Sequence, residues 1–456
     1  MRVLSDNYAV SRLSPLTKSV YALGDLTCNT VLGALSLVYA SYYLIEIAGL
    51  RPLLAGLVPL VGRTVDAFTD PAMGRLSDHT RWRSGRRRPY FLLGALPFGA
   101  SFAMMWIDPG LASEAARFAY YTAAYCLLTT FMTVLSVPYM ALQSEMAIDY
   151  HERTSLNTYR NAAAVLGLVA AIGMRPLAEA LGGQGGGFAR AGMVVGLLLV
   201  LPWLAVHRVS FERPEFGRRT LRLGVVEGFK VLAAQRNFRT LVALYVAGRV
   251  AIDLVGALLI IYCTYWLGSS RSFEPIMLVF FASVLLALPL WLNLARRYDK
   301  AVLFVAGAMC WMAAQLLLLL VQPDWPLWTV LAFAPLLAVG YAVVDLMPWA
   351  MVGDVIDEDD LSTGERREGL YNGVFLFLRK LGGALGVFLA LAALDYWGLE
   401  AGKEQSDSAL LAVRLMTALA PALFVGLAAR IALGYGLGRD AHAGVLELLR
   451  RRDQRA

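Results

Sequence analysis

Apolar stretches, broken by short polar connections, recur along the whole chain. A membrane-crossing helix needs about 20 such residues, and twelve segments meet that length. In the first half they run from about Tyr21 to Ile45, Pro52 to Leu76, Tyr90 to Ile107, Arg117 to Met146, Leu156 to Leu181 and Phe188 to Val206. In the second half they run from about Thr240 to Leu267, Glu274 to Ala295, Ala301 to Val321, Leu327 to Val352, Leu370 to Trp397 and Ala409 to Leu433. The longest polar interruption, His207 to Arg239, is rich in Arg and Lys and carries an amphipathic piece at Val225–Leu232. The pattern predicts an all-α membrane protein of twelve transmembrane helices in two six-helix bundles. Residues 1–206 form the N-terminal bundle, 207–239 a cytoplasmic linker, 240–433 the C-terminal bundle and 434–456 a cytoplasmic tail, whose pattern suits a surface helix.

Basic residues gather in alternate connections: Ser77–Pro89, Ser144–Asn157, His207–Arg239, Arg296–Lys300 and Asp354–Gly369. The other set holds almost none, so the positive-inside rule puts both termini in the cytoplasm of a multi-pass inner-membrane protein. Residues 1–20 are mixed polar and basic, without the apolar core of a cleavable signal. The halves also echo each other. PYMALQSEMAIDYHERTSLNTYRN from Pro138 and PWAMVGDVIDEDDLSTGERREGLYNG from Pro348 share a Pro-aromatic pair, an acid six or seven residues on, an acidic loop with arginine, and Tyr near Asn. LARRYDK at Leu294–Lys300 is a reduced echo of the Gly74–Arg88 loop. Repeats about 210 residues apart, each of six spans, predict a transporter of two parallel halves, with substrate and coupling ion meeting near the midplane.

Composition strengthens the membrane reading. The chain is 58% hydrophobic and 16% charged, with mean hydropathy +0.58, against about 45–50% and about 25% in soluble proteins. The net charge of +7 sits in the alternate loops, with no basic, aromatic-interleaved surface for nucleic acid. Cys28, Cys126, Cys263 and Cys310 lie far apart in apolar runs, without metal spacing, and His79, His151, His207 and His442 fall in or beside loops. No GxxxxGK[ST], HExxH or GxSxG motif is present, which argues against ATP use and against an enzyme. The expected partners are the bilayer, a small-molecule solute and a coupling cation, Na⁺ or H⁺, with no other cofactor; a monomer is expected.

The stretch Arg63–Pro89, RTVDAFTDPAMGRLSDHTRWRSGRRRP, departs most from simple packing. Asp66 and Asp70 stand at i,i+4, on one face of one helix, inside a would-be span. Ionised groups there cost roughly 2.5–3.5 kcal/mol each on insertion scales and are usually functional. Two carboxylates, completed by further oxygen ligands, can hold a hard cation, and mutual repulsion permits proton coupling instead. The competing reading is a structural ion pair with Arg63, Arg160 or Lys380.

Other intramembrane charges carry balanced alternatives. Arg249 and Asp253 are an opposite-charge i,i+4 pair, either self-neutralised or a substrate contact. Asp345, one turn before Pro348, is either a substrate or gate residue or a cross-helix ion pair. Arg160, Arg379 and Lys380 either answer cation loading and bind polar substrate, or compensate charge. Arg86, Arg87 and Arg88 of the basic loop, set against Asp354, Asp357 and Arg366 of the acidic one, suggest a cytoplasmic gate; the plainer reading is topology. Tyr39, Tyr42, Tyr43, Trp266, Trp311 and Trp349 could stack on a ring-shaped substrate, although most aromatics in spans serve packing.

RTVDAFTDPAMGRLSD followed by GRRRP, together with DVIDEDDLSTGERREG, resembles the glycoside-pentoside-hexuronide:cation symporters, a branch of the major facilitator superfamily, and the likeness covers nearly the whole chain in span order. The resemblance implies the major facilitator fold and cation binding at Asp66, Asp70, Thr69 and Thr133. It implies substrate roles for Arg160 and Lys380. The sugar-binding carboxylate of the first helix falls at about Asn29, with Asp25 one turn earlier, and that of the fourth helix on Ser136, its tryptophan neighbour on Met140. These departures argue against a galactoside. The expectation is a cation-coupled symporter of a glycoside or related solute working by alternating access, the alternative a lysophospholipid or amphiphile carrier or a proton-coupled efflux transporter.

Overall fold

A computed structural model of the chain describes residues 13–147, 150–212, 232, 234–364 and 367–455. The Val225–Leu232 piece, save for Leu232, and Arg366 lie outside the described residues. All twelve predicted stretches are helical. The first is α1 (Pro15–Ala34), continuing as a π-helical stretch, Leu35–Ile47. The Ser14 hydroxyl accepts the Thr17 N–H at its start, and Pro15 supplies a φ suited to the first turn. Then come α2 (Pro52–His79), α3 (Pro89–Met105), α4 (Glu114–Met146), α5 (Tyr150–Ile172), the short α6 (Met174–Ala180) and α7 (Gln184–Val209). The second half contains α8 (Arg236–Ile261), α9 (Phe273–Leu294), α10 (Lys300–Leu317), α11 (Leu327–Thr363), α12 (Glu368–Tyr396), α13 (Asp407–Ala432) and the tail helix α14 (Arg439–Arg455).

Among the described residues, nine helices are long and apolar enough to cross a membrane, ten if α5 and α6, bent by 42°, form one span. α3 has 17 residues, and in α2 the charges of Arg63, Asp66, Asp70 and Arg75 dilute the hydropathy.

Two predicted boundaries are corrected. The tenth span does not end at Val352: α11 runs to Thr363, so the acids of DVIDEDD are helical instead of lying in a loop. Acids near a helix C-terminus oppose its dipole, and Lys300, His442 and Arg452 offset them here. From Asp354 onward neither Pro nor Gly occurs until Gly364, whose φ of 74° ends the helix. Likewise α5 starts at Tyr150, not Leu156, with Glu152 in its first turn complementing the dipole.

The chain clusters into two units, one of Met1–Leu50 and Val61–Thr220, the other of Arg51–Leu60 and Leu221–Ala456. In the first, α1 packs along α5, and α3 against α4 and α7. Glycines allow the α3–α7 approach: a Cβ on Gly99 would lie 2.3 Å from the Gly196 carbonyl oxygen. In the second, α8 packs along α12 and α13, α10 against α11 and α13, α9 against α11, and α14 on α11. Numbered by span, the first-with-fifth, third-with-fourth and third-with-sixth partnerships recur as seventh-with-eleventh, ninth-with-tenth and ninth-with-twelfth. The sequence echo is thus also an echo in packing. Tyr39 and Tyr43 are buried against Trp106 in the first unit, and Trp311 against Tyr341 in the second, so these aromatics are core.

Candidate functional site

Asp66 is only 2% exposed. The Arg63 guanidinium, one turn earlier on α2, donates to its Oδ2 at 3.0 Å. One turn later, Asp70 accepts a hydrogen bond of 2.6 Å from Thr133 Oγ1 of α4. Helical spacing puts both carboxylates on one face, and α4 brings the hydroxyl. Thr69 is half-buried beside them. The chemistry on offer is all oxygen: two carboxylates and hydroxyls, with an arginine already partnering one acid. Such a set takes a small hard cation or a proton.

A second buried cluster lies in the same unit. Asp25 of α1 is held bidentately by Arg160 of α5, with Nε at 2.5 Å and Nη2 at 2.9 Å. Tyr139 of α4 donates to Asp25 Oδ2 at 2.6 Å, and its ring lies under the guanidinium, 5.0 Å from Cζ. Arg160 also bonds Gln143. Tyr21 stacks on Tyr139 at 4.4 Å between centroids and donates to its carbonyl oxygen. Asn29 turns away, donating to the Asp25 backbone oxygen at 2.8 Å. Ser136 is half-buried, and Met140 is exposed.

In the second unit Arg249 bonds Asp253 at 2.7 Å, one turn along α8, and reaches Asp345 of α11 at 3.5 Å. Asp345 thus has the cross-helix partner that its own segment lacks. Arg379 and Lys380 are half-buried on α12. Trp349, 41% exposed, meets Tyr245 and Phe375 edge-on at 5.8 and 5.2 Å.

Arg86, Arg87 and Arg88 of the basic loop, and Asp354, Asp357 and Asp360 at the end of α11, have partners inside their own units. Glu145, 2% exposed at the end of α4, takes both Arg86 and Arg87, and Arg87 also bonds Asp78 at 2.6 Å. The Glu212 carboxylate accepts the backbone N–H groups of Arg86, Arg87 and Arg88 at 2.8–3.0 Å, a ring of amides suited to an anion. Arg88 itself bonds the His207 carbonyl at 2.9 Å. In the second unit Asp354 takes Lys300 at 2.7 Å, and His442 of the tail helix lies 3.1 Å from Asp357 and 3.6 Å from Asp354. Arg452 bonds Asp360 at 2.8 Å. Burial pushes the Tyr435 phenol up, with Asp354 and Glu358 adding to the shift. The acid six or seven residues after each Pro-aromatic pair therefore clamps the basic loop of its own half.

Tyr139, Gln143 and Glu212 escape a reading by residue type: Tyr139 acts through a partner more than a hundred positions away, Glu212 through distant backbone groups, and Gln143 through Arg160 on the next helix. Tyr139 carried one usable signal, its place in the repeated Pro-aromatic pair.

Residues 20–439 match the family described as MFS/sugar transport protein. The chain is 29% identical to an uncharacterised symporter of Synechocystis sp., over 99% of both chains. It is 25% identical to a sodium-dependent lysophosphatidylcholine symporter of Danio rerio, over 97% of this chain and 90% of that one. An Escherichia coli protein provisionally named a glycoside/cation symporter is 26% identical, over 90% and 88%. Among solved structures, a bacterial homologue of the human lysosomal transporter Spinster, inward-facing, superposes with a TM-score of 0.66 at 14% identity, covering 96% of this chain and 99% of that one.

Proposed function

Because this chain belongs to the MFS/sugar transport protein family, we propose that it is a cation-coupled secondary symporter of the inner membrane, with both termini cytoplasmic, moving a glycoside or related solute by alternating access. The observation that carries this reading is the α2 acid pair, Asp66 beside Arg63 and Asp70 bonded to Thr133. A cation arriving there competes with Arg63 for Asp66 and relieves the repulsion between the two carboxylates. A coupling of about 1–3 kcal/mol between ion and solute, some 5–150-fold in affinity, suffices for symport. Solute contacts are assigned to Asp25 and Arg160 in the first unit and to Asp345, Trp349 and Lys380 in the second, with Asn29, Ser136 and Met140 flanking the former. Arg86, Arg87, Arg88, Asp354, Asp357 and Arg366 are assigned to gating. Each of these basic and acidic groups in the described residues must then exchange its present partner as the carrier turns.

A second reading, a lysophospholipid carrier, is favoured by the Danio rerio relative and by Ser136 and Met140 standing where the sugar ligands of the family are expected. Uptake of a panel of glycosides and lysophosphatidylcholine into proteoliposomes, under imposed Na⁺ or proton gradients, separates the two. Gradient-driven accumulation should vanish in Asp66→Asn and in Asp70→Asn, and Thr133→Val should raise the half-saturating cation concentration about tenfold. Accumulation that survives both carboxylate substitutions would refute the site.

A further inference from the structure

A groove of about 530 Å³ lies between α8, α12 and α13. It sits outside the charged clusters described above, and it does not bear on which solute is carried. All three helices contribute the end that the basic connections mark as cytoplasmic: the start of α8, the start of α12 and the end of α13. The walls are Val246 and Val250, Val374 and Leu378, Leu427 and Ile431, and the lining is apolar except for Arg239 at one end. Leu427 is 50% exposed, so the groove opens at the surface.

Its depth has a meaning. From Arg239 to Val250 along α8 is about 16 Å at 1.5 Å per residue, close to half of the roughly 30 Å hydrocarbon core. At the inner end the helices close up: a Cβ on Gly382 or Gly386 would lie 2.6 or 2.5 Å from the side chain of Val246 or Val250. The groove is therefore one leaflet deep, shut at the midplane end and open at the headgroup end. An apolar groove of this size facing lipid is filled by hydrocarbon, since a void forfeits the contacts of its walls.

The headgroup end is positive. Arg236 lies one turn before Arg239 on the same face of α8, and Arg430 precedes Ile431 on α13; all three are exposed. Among the described residues none of the three takes part in an ion pair, whereas the neighbouring Glu358 is held by Asn237 at 2.8 and 3.0 Å. Arginines at span ends are common for topology alone. Here Arg239 lines the end of the slot, and Arg236 and Arg430 neighbour its lining residues along α8 and α13.

We infer that the groove seats one acyl chain of an anionic phospholipid from the adjacent leaflet, with its phosphate held by Arg236, Arg239 and Arg430. Each guanidinium near an anionic lipid contributes about fivefold in affinity. The full-length protein in nanodiscs of mixed phosphatidylglycerol and phosphatidylcholine should, after release into detergent, retain phosphatidylglycerol selectively by native mass spectrometry. Arg239→Gln should lower that selectivity roughly fivefold and the triple Gln variant about 100-fold, while Arg239→Lys keeps most of it. Leu378→Trp, which fills the slot, should lower retention of both lipids. Equal retention of the two lipids by the unmodified protein, or a triple variant as selective as it, would overturn the inference. Thermal stabilisation by phosphatidylglycerol over phosphatidylcholine gives an independent readout, expected in the unmodified protein and lost in the triple variant; its persistence there would also overturn it.

Discussion

Asp25→Asn tests the buried cluster of the first unit most sharply. The substitution keeps the shape of the side chain and removes its charge. Asp25 and Arg160 are 17% and 12% exposed, so the guanidinium left behind has little water to turn to. Three hydrogen bonds converge on the carboxylate, from Arg160 Nε, Arg160 Nη2 and the Tyr139 hydroxyl. At about 1.5–3 kcal/mol for each bond to a charged group, simple addition would exceed 4 kcal/mol. The bonds share one acceptor group, however, and Gln143 still holds Arg160. Breaking a buried pair typically costs about 3–5 kcal/mol, and the lower half of that range applies here. For a unit of this size that lowers Tm by roughly 6–15 °C. The assay is a double-mutant cycle on thermal unfolding in one detergent, with Asp25→Asn, Arg160→Gln and the double variant. Neutralising both partners removes the stranded charge, so the double variant should be no less stable than the worse single one, with a coupling of at least about 1.5 kcal/mol. Single effects below about 1 kcal/mol that simply add would mean that the pair behaves like an exposed one, and the reasoning would fail.

Tyr139→Phe keeps the ring stacked on Tyr21 and under Arg160 but loses the hydrogen bond to Asp25; a loss of about 1.5 kcal/mol is expected in the same unfolding assay. Glu145→Ala removes the carboxylate that Arg86 and Arg87 share at the end of α4 and leaves Arg87 with Asp78; it should cost about 3 kcal/mol, the low end for breaking a buried pair, and speed proteolysis of the basic loop. Gly85 has φ of 113°, and a Cβ there would lie 2.4 Å from Glu212 Oε1. Gly85→Ala should therefore cost about 1–3 kcal/mol in backbone strain and release Glu212, read as faster cleavage near the linker by a dilute protease. Deleting residues 439–456 removes the His442 and Arg452 contacts to Asp357 and Asp360. The end of α11 should then lose amide-exchange protection from about Asp357 to Thr363, while Asp354, still held by Lys300, keeps its own.

Much of this molecule was legible from its sequence, because the bilayer leaves few choices. A backbone surrounded by hydrocarbon must satisfy its own polar groups, so runs of apolar residues read directly as helices, and all twelve stretches are helical. The same economy made Asp66 and Asp70 visible: a charge in such a run is conspicuous, and helical spacing alone puts the two on one face. Boundaries were less legible where polar residues continue a helix. The acids of DVIDEDD look like a loop until Lys300, His442 and Arg452 are brought to them from elsewhere in the chain. Only the tertiary structure paired Asp25 with Arg160, gave Asp345 to Arg249, and turned Glu145 and Asp354 toward the basic residues of their own halves. Those pairings join residues 54 to 135 positions apart, and side-chain type cannot say which of several opposite charges will be nearest. Helix packing decides that, and packing is settled by shape, as where Gly99 meets Gly196, more than by charge.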